Sequence, residues 1–258
     1  MMKSIQLNLQ NLKISLVIAA ALTLLFAAQA GATASTHIWG PSTDIQSFRL
    51  WHITSDFYIP IQKDDAGNHP AAVTNLGLTV GVLPFQKLNA EIGFDHKSGL
   101  GAADDYPLYL NFKVGFPEKA LFKHSPALAV GGFDIGSKKD MTNYNVFYSK
   151  IAKTFSAGHT QLGRLSVGFF AGSENLLLDY AGDKDNSGIL AAWERTITEI
   201  SNKLWFCAEY MGTKSAYGAY NIGVAWKFAP NVAVIAGYDL YLNENLVDTA
   251  TLQVDIDM

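Results

Sequence analysis

His96-Lys97-Ser98 sets an imidazole and a hydroxyl two residues apart. In an extended chain that spacing puts both side chains on one face. A histidine so placed can take the serine proton and activate the oxygen as a nucleophile, provided an acid or amide orients the ring. Asp104 alone offers suitable parity for that third role, and Gly99 follows the serine directly. With so thin a triad, the pair is expected to be the polar shoulder of a loop.

A second constellation is Asp183-Lys184-Asp185-Asn186-Ser187-Gly188, with Glu194 six residues beyond the glycine. The spacing matches a twelve-residue calcium loop: Asp183, Asp185 and Ser187 as ligands, Gly188 at the sharp turn and Glu194 as the bidentate carboxylate. However, Gly188–Arg195 alternates like a strand. At about 3.3 Å per residue, Glu194 would lie roughly 20 Å from the loop tip. A solvated acidic loop is expected, with weak surface calcium, without Glu194, as the alternative. His37, His52, His69, His124 and His159 show no i, i+4 or HExxH spacing, and Cys207 is the single cysteine. No cofactor or metal centre is expected, and no intramolecular disulfide can form.

The elements that position these residues are strands. From Leu76 onward, segments of about ten residues alternate apolar and polar side chains. Tyr220–Phe228 does so, turns at Ala229-Pro230-Asn231, and the pattern resumes through Val232, Val234, Ala236, Tyr238, Leu240 and Leu242. Alternation predicts about twelve strands: 46–59, 73–83, 87–96, 106–116, 126–136, 143–154, 162–172, 187–195, 203–212, 216–228, 232–242 and 249–257. Long polar connections (Gln62–Ala72, Lys97–Asp105, Ser173–Asn186) alternate with tight ones (Pro84–Gln86, Ala229–Asn231). Thr213–Ser215 and Pro117–Ser125 depart from that alternation. An even number of strands, closed on itself, leaves no free edge. The expectation is an all-β, antiparallel, up-and-down transmembrane barrel over residues 46–258.

Composition agrees. Of 258 residues, 49% are hydrophobic and 16% charged, below the roughly 25% charge of soluble domains. The net charge of −4 and the lack of a basic stripe exclude a nucleic-acid partner. Residues 1–34 read as a secretory signal peptide: Lys3 and Lys13 precede an apolar stretch from Ile14 to Ala28, with A-x-A sites at Ala28-Gln29-Ala30 and Ala32-Thr33-Ala34. Residues 35–45 are expected to form a periplasmic lead-in, folding back across the lumen.

Parity assigns the two faces. Leu108, Leu110, Phe112, Val114 and Phe116 form one lipid-facing row. Leu204, Phe206, Ala208 and Tyr210 form a second, and Leu252, Val254, Ile256 and Met258 a third. Trp226, Phe228, Tyr238 and Tyr241 are expected in the interfacial aromatic girdle. Glu91, Asp95, Asn111, Lys113, Asp134, Glu194, Glu209, Lys227, Asp239 and Asp255 are the pore-lining candidates, with Gln253 beside them. Acids outnumber bases in that set, so some acids should pair with Lys113 and Lys227 or contact lumen water.

Pro126–Gly132, Tyr144–Lys150 and the hairpin from Gly223 to Asp239 resemble bacterial outer-membrane barrels of the porin type. The Tyr-x-Val-x-Tyr-Ser-Lys stretch is similar to repeats of YjbH-like exopolysaccharide proteins. The His-x-Ser pair resembles the lipid-facing pair of outer-membrane phospholipases and lipid A deacylases, where an asparagine commonly follows the serine. The resemblances imply an outer-membrane location, with membrane lipid, the barrel assembly machinery and small solutes as partners. A small-solute channel, or a structural envelope protein without a catalytic site, is the first expectation. A lipid hydrolase using His96 and Ser98, and a barrel associated with exopolysaccharide export, are the alternatives.

Overall fold

The computed structural model describes residues 35–258 except 65 and 159, so the expected signal peptide lies outside the described residues. Twelve strands follow in chain order: β1 (Trp51–Pro60), β2 (Val73–Gly81), β3 (Asn89–Ser98), β4 (Leu108–Phe116), β5 (Ala127–Gly136), β6 (Asn143–Ala157), β7 (Thr160–Ala171), β8 (Ser187–Thr196), β9 (Leu204–Gly212), β10 (Ala219–Ala229), β11 (Val232–Tyr241) and β12 (Thr249–Asp257). Each pairs antiparallel with its neighbours in sequence, and β12 pairs with β1 to close the barrel. Lumenal side chains tie that seam: His52 Nδ1 lies 2.7 Å from Asp257 Oδ1 and Nε2 3.4 Å from Asp255 Oδ1.

The period-two pattern produces the two faces as expected. Along β10, Ile222 and Val224 are 48% and 45% exposed, while Asn221 and Ala225 are 3% and 8% exposed. Leu108, Leu110 and Phe112 on β4 and Leu252 on β12 also point outward and are exposed. Bare apolar rows of this kind would be costly in water, and in a bilayer they meet lipid. Trp226 and Phe228 stand outside near the end of β10. Tyr241 does not join them. It has the parity of the buried Ile235 and Asp239 and packs edge-on against Trp39 in the lumen, ring centroids 5.6 Å apart.

The first strand begins at Trp51 rather than at 46. Arg49 takes a left-handed φ of 65° and donates its N–H to Gly81 O at 2.8 Å. This turn carries the chain over the rim and into the lumen. A β-carbon on Gly81 would lie 2.0 Å from Ser47 O, so only glycine lets the chain cross there.

Candidate functional site

The interior of the barrel holds the segment 35–46, folded as a narrow hairpin. His37 N bonds to Gly40 O at 2.9 Å and Ser42 N to Ser35 O at 3.2 Å, which places Ile38 and Trp39 at the tip. A chain inserted in a lumen must satisfy its backbone groups there. Glu209 on β9 does most of this: its carboxylate accepts the successive N–H groups of Ile38 (2.9 Å), Trp39 and Gly40 (3.1 Å). Such a run of amides forms a nest suited to an anion. Across the tip, Gln253 Nε2 on β12 donates to Ile38 O at 2.5 Å.

Charged wall residues hold the hairpin's two arms. Lys113 Nζ donates to Ser35 O (2.6 Å) and Asp44 O (2.7 Å) and lies 3.2 Å from Glu91. Glu91 in turn accepts from the Ser35 hydroxyl and, at 2.6 Å, from Gln46 N. Lys150 Nζ donates to Pro41 O at 2.8 Å and lies 3.2 Å from His37 Nδ1. Arg164 reaches both carboxylate oxygens of Asp44, at 2.8 and 2.7 Å, and the Thr43 hydroxyl. Glu194 lies 3.3 Å from His37 Nε2 and 3.4 Å from Arg164, and accepts from Trp205 Nε1 at 3.0 Å. Away from bulk water these pairs are satisfied only together, so losing one partner strands the other.

The tip is seated by shape. Ile38 is 1% exposed and packs with Ala192, Cys207, Ala225 and Ile235. Gly223 and Gly237 pair across β10 and β11 and leave the hollow it fills. Trp39 meets Tyr58 edge-on with centroids 5.1 Å apart, and its Nε1 donates to Tyr217 O at 3.0 Å. Beside the hairpin, Leu177 folds inward from the 172–186 connection and packs with Val146, Tyr148 and Phe170.

Trp39 lines a remaining cavity of about 530 Å³, which reaches Leu100 and Asn245–Val247 on the rim with the long connections. Asp56, Asp95, Asp134, Lys97 and Tyr217 line its wall. Lys97 Nζ donates to Asp134 Oδ1 at 2.5 Å, and the Tyr217 hydroxyl donates to Asp134 Oδ2. Burial, and then Asp134 beside it, push the Tyr217 hydroxyl well above its ordinary range, so it remains a donor.

All ten pore-lining candidates lie on the inner face, but they play different parts. Glu91, Lys113, Glu194 and Glu209 hold the hairpin. Asp95 and Asn111 join at 2.9 Å in the cavity wall. Asp239 accepts from Thr249 at 2.8 Å, and Asp255 faces His52. Lys227 is half-buried near the end of β10, with the parity of Ala225. The bases that match the inward acids are chiefly Lys97, Lys113, Lys150 and Arg164, not Lys227. Lys97, Lys150 and Arg164 are absent from the sequence-derived set, although each falls at inward parity on its strand. Asp134 owes its place to a bulge. It shares the even parity of the exposed Val130, yet its φ of 52° and the register shift between Phe133 and Ile135 turn it inside.

The other two constellations come apart. The Ser98 hydroxyl bonds to that of Thr74 at 2.7 Å, and Asp104 accepts from Gly99 N and Leu100 N at 3.2 and 2.9 Å instead of orienting His96. Glu194 faces His37 in the lumen, while Asp185 accepts from Lys214 N and Lys184 pairs with Glu174 in the connections. Among the described residues no three acids, histidines or cysteines are grouped to hold a metal.

No family model matches the chain, and no curated protein does. Among solved structures, the NanC porin aligns over 81% of this chain and 98% of its own at 8% identity and a TM-score of 0.48. An outer membrane channel from Pseudomonas putida F1 aligns over 83% and 97% at 10% identity and 0.47. Salmonella typhi OmpF, in complex with daunomycin, aligns over 81% and 96% at 7% identity and 0.41. The closed barrel rests on this chain's own strand pairing.

Proposed function

We propose that this protein is an outer-membrane barrel of a Gram-negative envelope, a small-solute channel whose lumen is obstructed by its own hairpin, 35–46. The observation that carries this reading is the nature of the hairpin's attachment. Apart from Trp39 and the buried Ile38, Pro41 and Ile45, it is held by hydrogen bonds and ion pairs to wall side chains. Contacts of that kind can exchange for water when the segment moves, whereas a continuous apolar core could not. The apolar outer rows supply the membrane surface, with lipid and the barrel assembly machinery as the partners such a surface needs.

A role in exopolysaccharide export stands second. Alternate residues of the Tyr144–Lys150 stretch that suggests it face inward in this barrel: Tyr144 lines the cavity, Val146 and Tyr148 pack with Leu177, and Lys150 holds the hairpin, while Phe147 faces out. Hydrolysis by His96 and Ser98 draws no support from the hydroxyl and carboxylate contacts at that site. Reconstitution in planar bilayers tests the channel. Discrete conductance steps are expected, with cations favoured; a bilayer that stays silent even when the hairpin is deleted contradicts it.

A further inference from the structure

The cavity beside the hairpin carries a charge pattern that obstruction alone does not require. Of the acids that line it, Glu91 is paired with Lys113 and Asp134 with Lys97. Asp56 and Asp95 are different. They face each other across the amide of Asn75, whose Nδ2 donates to Asp56 Oδ2 at 2.9 Å and to Asp95 Oδ1 at 3.2 Å. Neither is in direct contact with a base among the described residues; Lys97, committed to Asp134, acts on Asp95 only at longer range. Two carboxylates sharing one neutral donor in a narrow lumen repel each other, and a cation between them would relieve that repulsion.

Further observations point to a ligand. Tyr109 is 1% exposed, lines the same cavity, and its hydroxyl has no hydrogen-bond partner among the described residues. Asn75 Oδ1 is likewise buried and unpartnered. Tyr58 follows Asp56 by two residues on the inner face of β1, and Tyr58, Trp39 and Tyr241 form an aromatic wall beside the acids. Aromatic faces next to carboxylates favour organic cations. The cavity volume falls within the range of small-molecule sites, about 300–1,000 Å³.

We infer that this cavity binds a small organic cation bearing primary ammonium groups, held by Asp56 and Asp95 and walled by Trp39 and Tyr58. A neutral polyol could use the aromatic wall but would leave Asp56 uncompensated and Asp95 with only the distant charge of Lys97. An anion would be repelled. The inference builds on the reading of the lumen as a solute path, yet it is separable from it, because binding is read in detergent micelles without ion flux.

The test is isothermal titration of the refolded, heat-modifiable protein with putrescine, with butanediol of the same chain length as the neutral control. Saturable heat is expected from the diamine and none from the diol. Asp56→Asn and Asp95→Asn should each weaken binding roughly tenfold or more, the loss expected when a contact to a charged group goes. Asp183→Asn in the outer connection should leave it unchanged. If either lumenal variant fails to fold, the other and the diol comparison still decide. No saturable diamine binding, equal binding of the diol, saturation by calcium but not by putrescine, or full affinity in a folded lumenal variant would overturn the inference.

Discussion

Ile38 at the tip of the hairpin lies directly over Gly223 of β10: a β-carbon built on that glycine would stand 2.8 Å from Ile38 Cδ1, inside any real contact distance. The hollow in the wall and the side chain that fills it are therefore one feature. The same β-carbon would stand 2.8 Å from Ala236 O, so Gly223→Ala should unseat the tip, speed amide exchange at 38–40 and also strain the β10–β11 pairing. Val224→Arg, one residue on and facing out, should instead destabilise the barrel by about 2–4 kcal/mol, the midplane cost of arginine. Gly223→Arg, on the lumenal face, should cost the barrel less than Val224→Arg. Urea unfolding in lipid ranks the two arginine variants; if Gly223→Arg costs far more, the faces are assigned the wrong way round.

Glu209 gathers three amides of the hairpin. Glu209→Gln removes the charge and one acceptor, and should loosen the tip by about 1.5–3 kcal/mol, the range for a hydrogen bond to a charged group. Hydrogen exchange read at residues 38–40 measures it. Asp239→Asn, whose carboxylate bonds to Thr249, should leave those amides protected. Equal exchange in the two variants would remove Glu209 from its anchoring role.

The barrel is legible in the sequence because one physical demand, an apolar face for lipid and a polar face for the lumen, repeats in every strand. That demand places all twelve strands to within a few residues and marks Glu91, Glu194 and Glu209 as inward. Parity is blind to what those carboxylates touch. Nothing in the spacing of Glu209 announces that its partners are the backbone of Ile38–Gly40, because the contact spans about 170 positions and depends on closure of the whole sheet. Asp134 shows the second limit: it is expected inside and lies there, but strict alternation from Val130 would put it outside, and the bulge that turns it in has no signal in its neighbours. Tyr241 is a different case: it shares the parity of Asp239, which places it inside, and only its aromatic type at a strand end suggests the girdle. The glycines of β10 and β11 look like generic barrel packing until Ile38 is placed against them.

Ser98→Ala and His96→Ala should leave any solute passage intact. The Ser98 hydroxyl is bonded to Thr74, and Asp104 is committed to backbone amides. Phospholipase and deacylase assays on the wild type should show no turnover. Ester hydrolysis that disappears on Ser98→Ala would reinstate the hydrolase.

Cation preference should follow from lumenal charge rather than from the connections. Asp56 and Asp95 act across a narrow, partly desolvated passage, whereas Asp183 and Asp185 face electrolyte that screens them within about 10 Å. Reversal potentials under a salt gradient should favour cations in the wild type and less so in Asp56→Asn with Asp95→Asn. Asp183→Asn with Asp185→Asn should change little. Anion selectivity, or a larger effect from the outer pair, would rule this source out.

The most direct measurement is single-channel conductance of the wild type beside a variant lacking residues 35–46, both shown to be folded by heat-modifiable migration. The wild type should give rare or small openings, and the shortened protein larger, persistent steps. Equal conductance in the two, or a deletion variant that is folded yet silent, would contradict a lumen closed by its own hairpin.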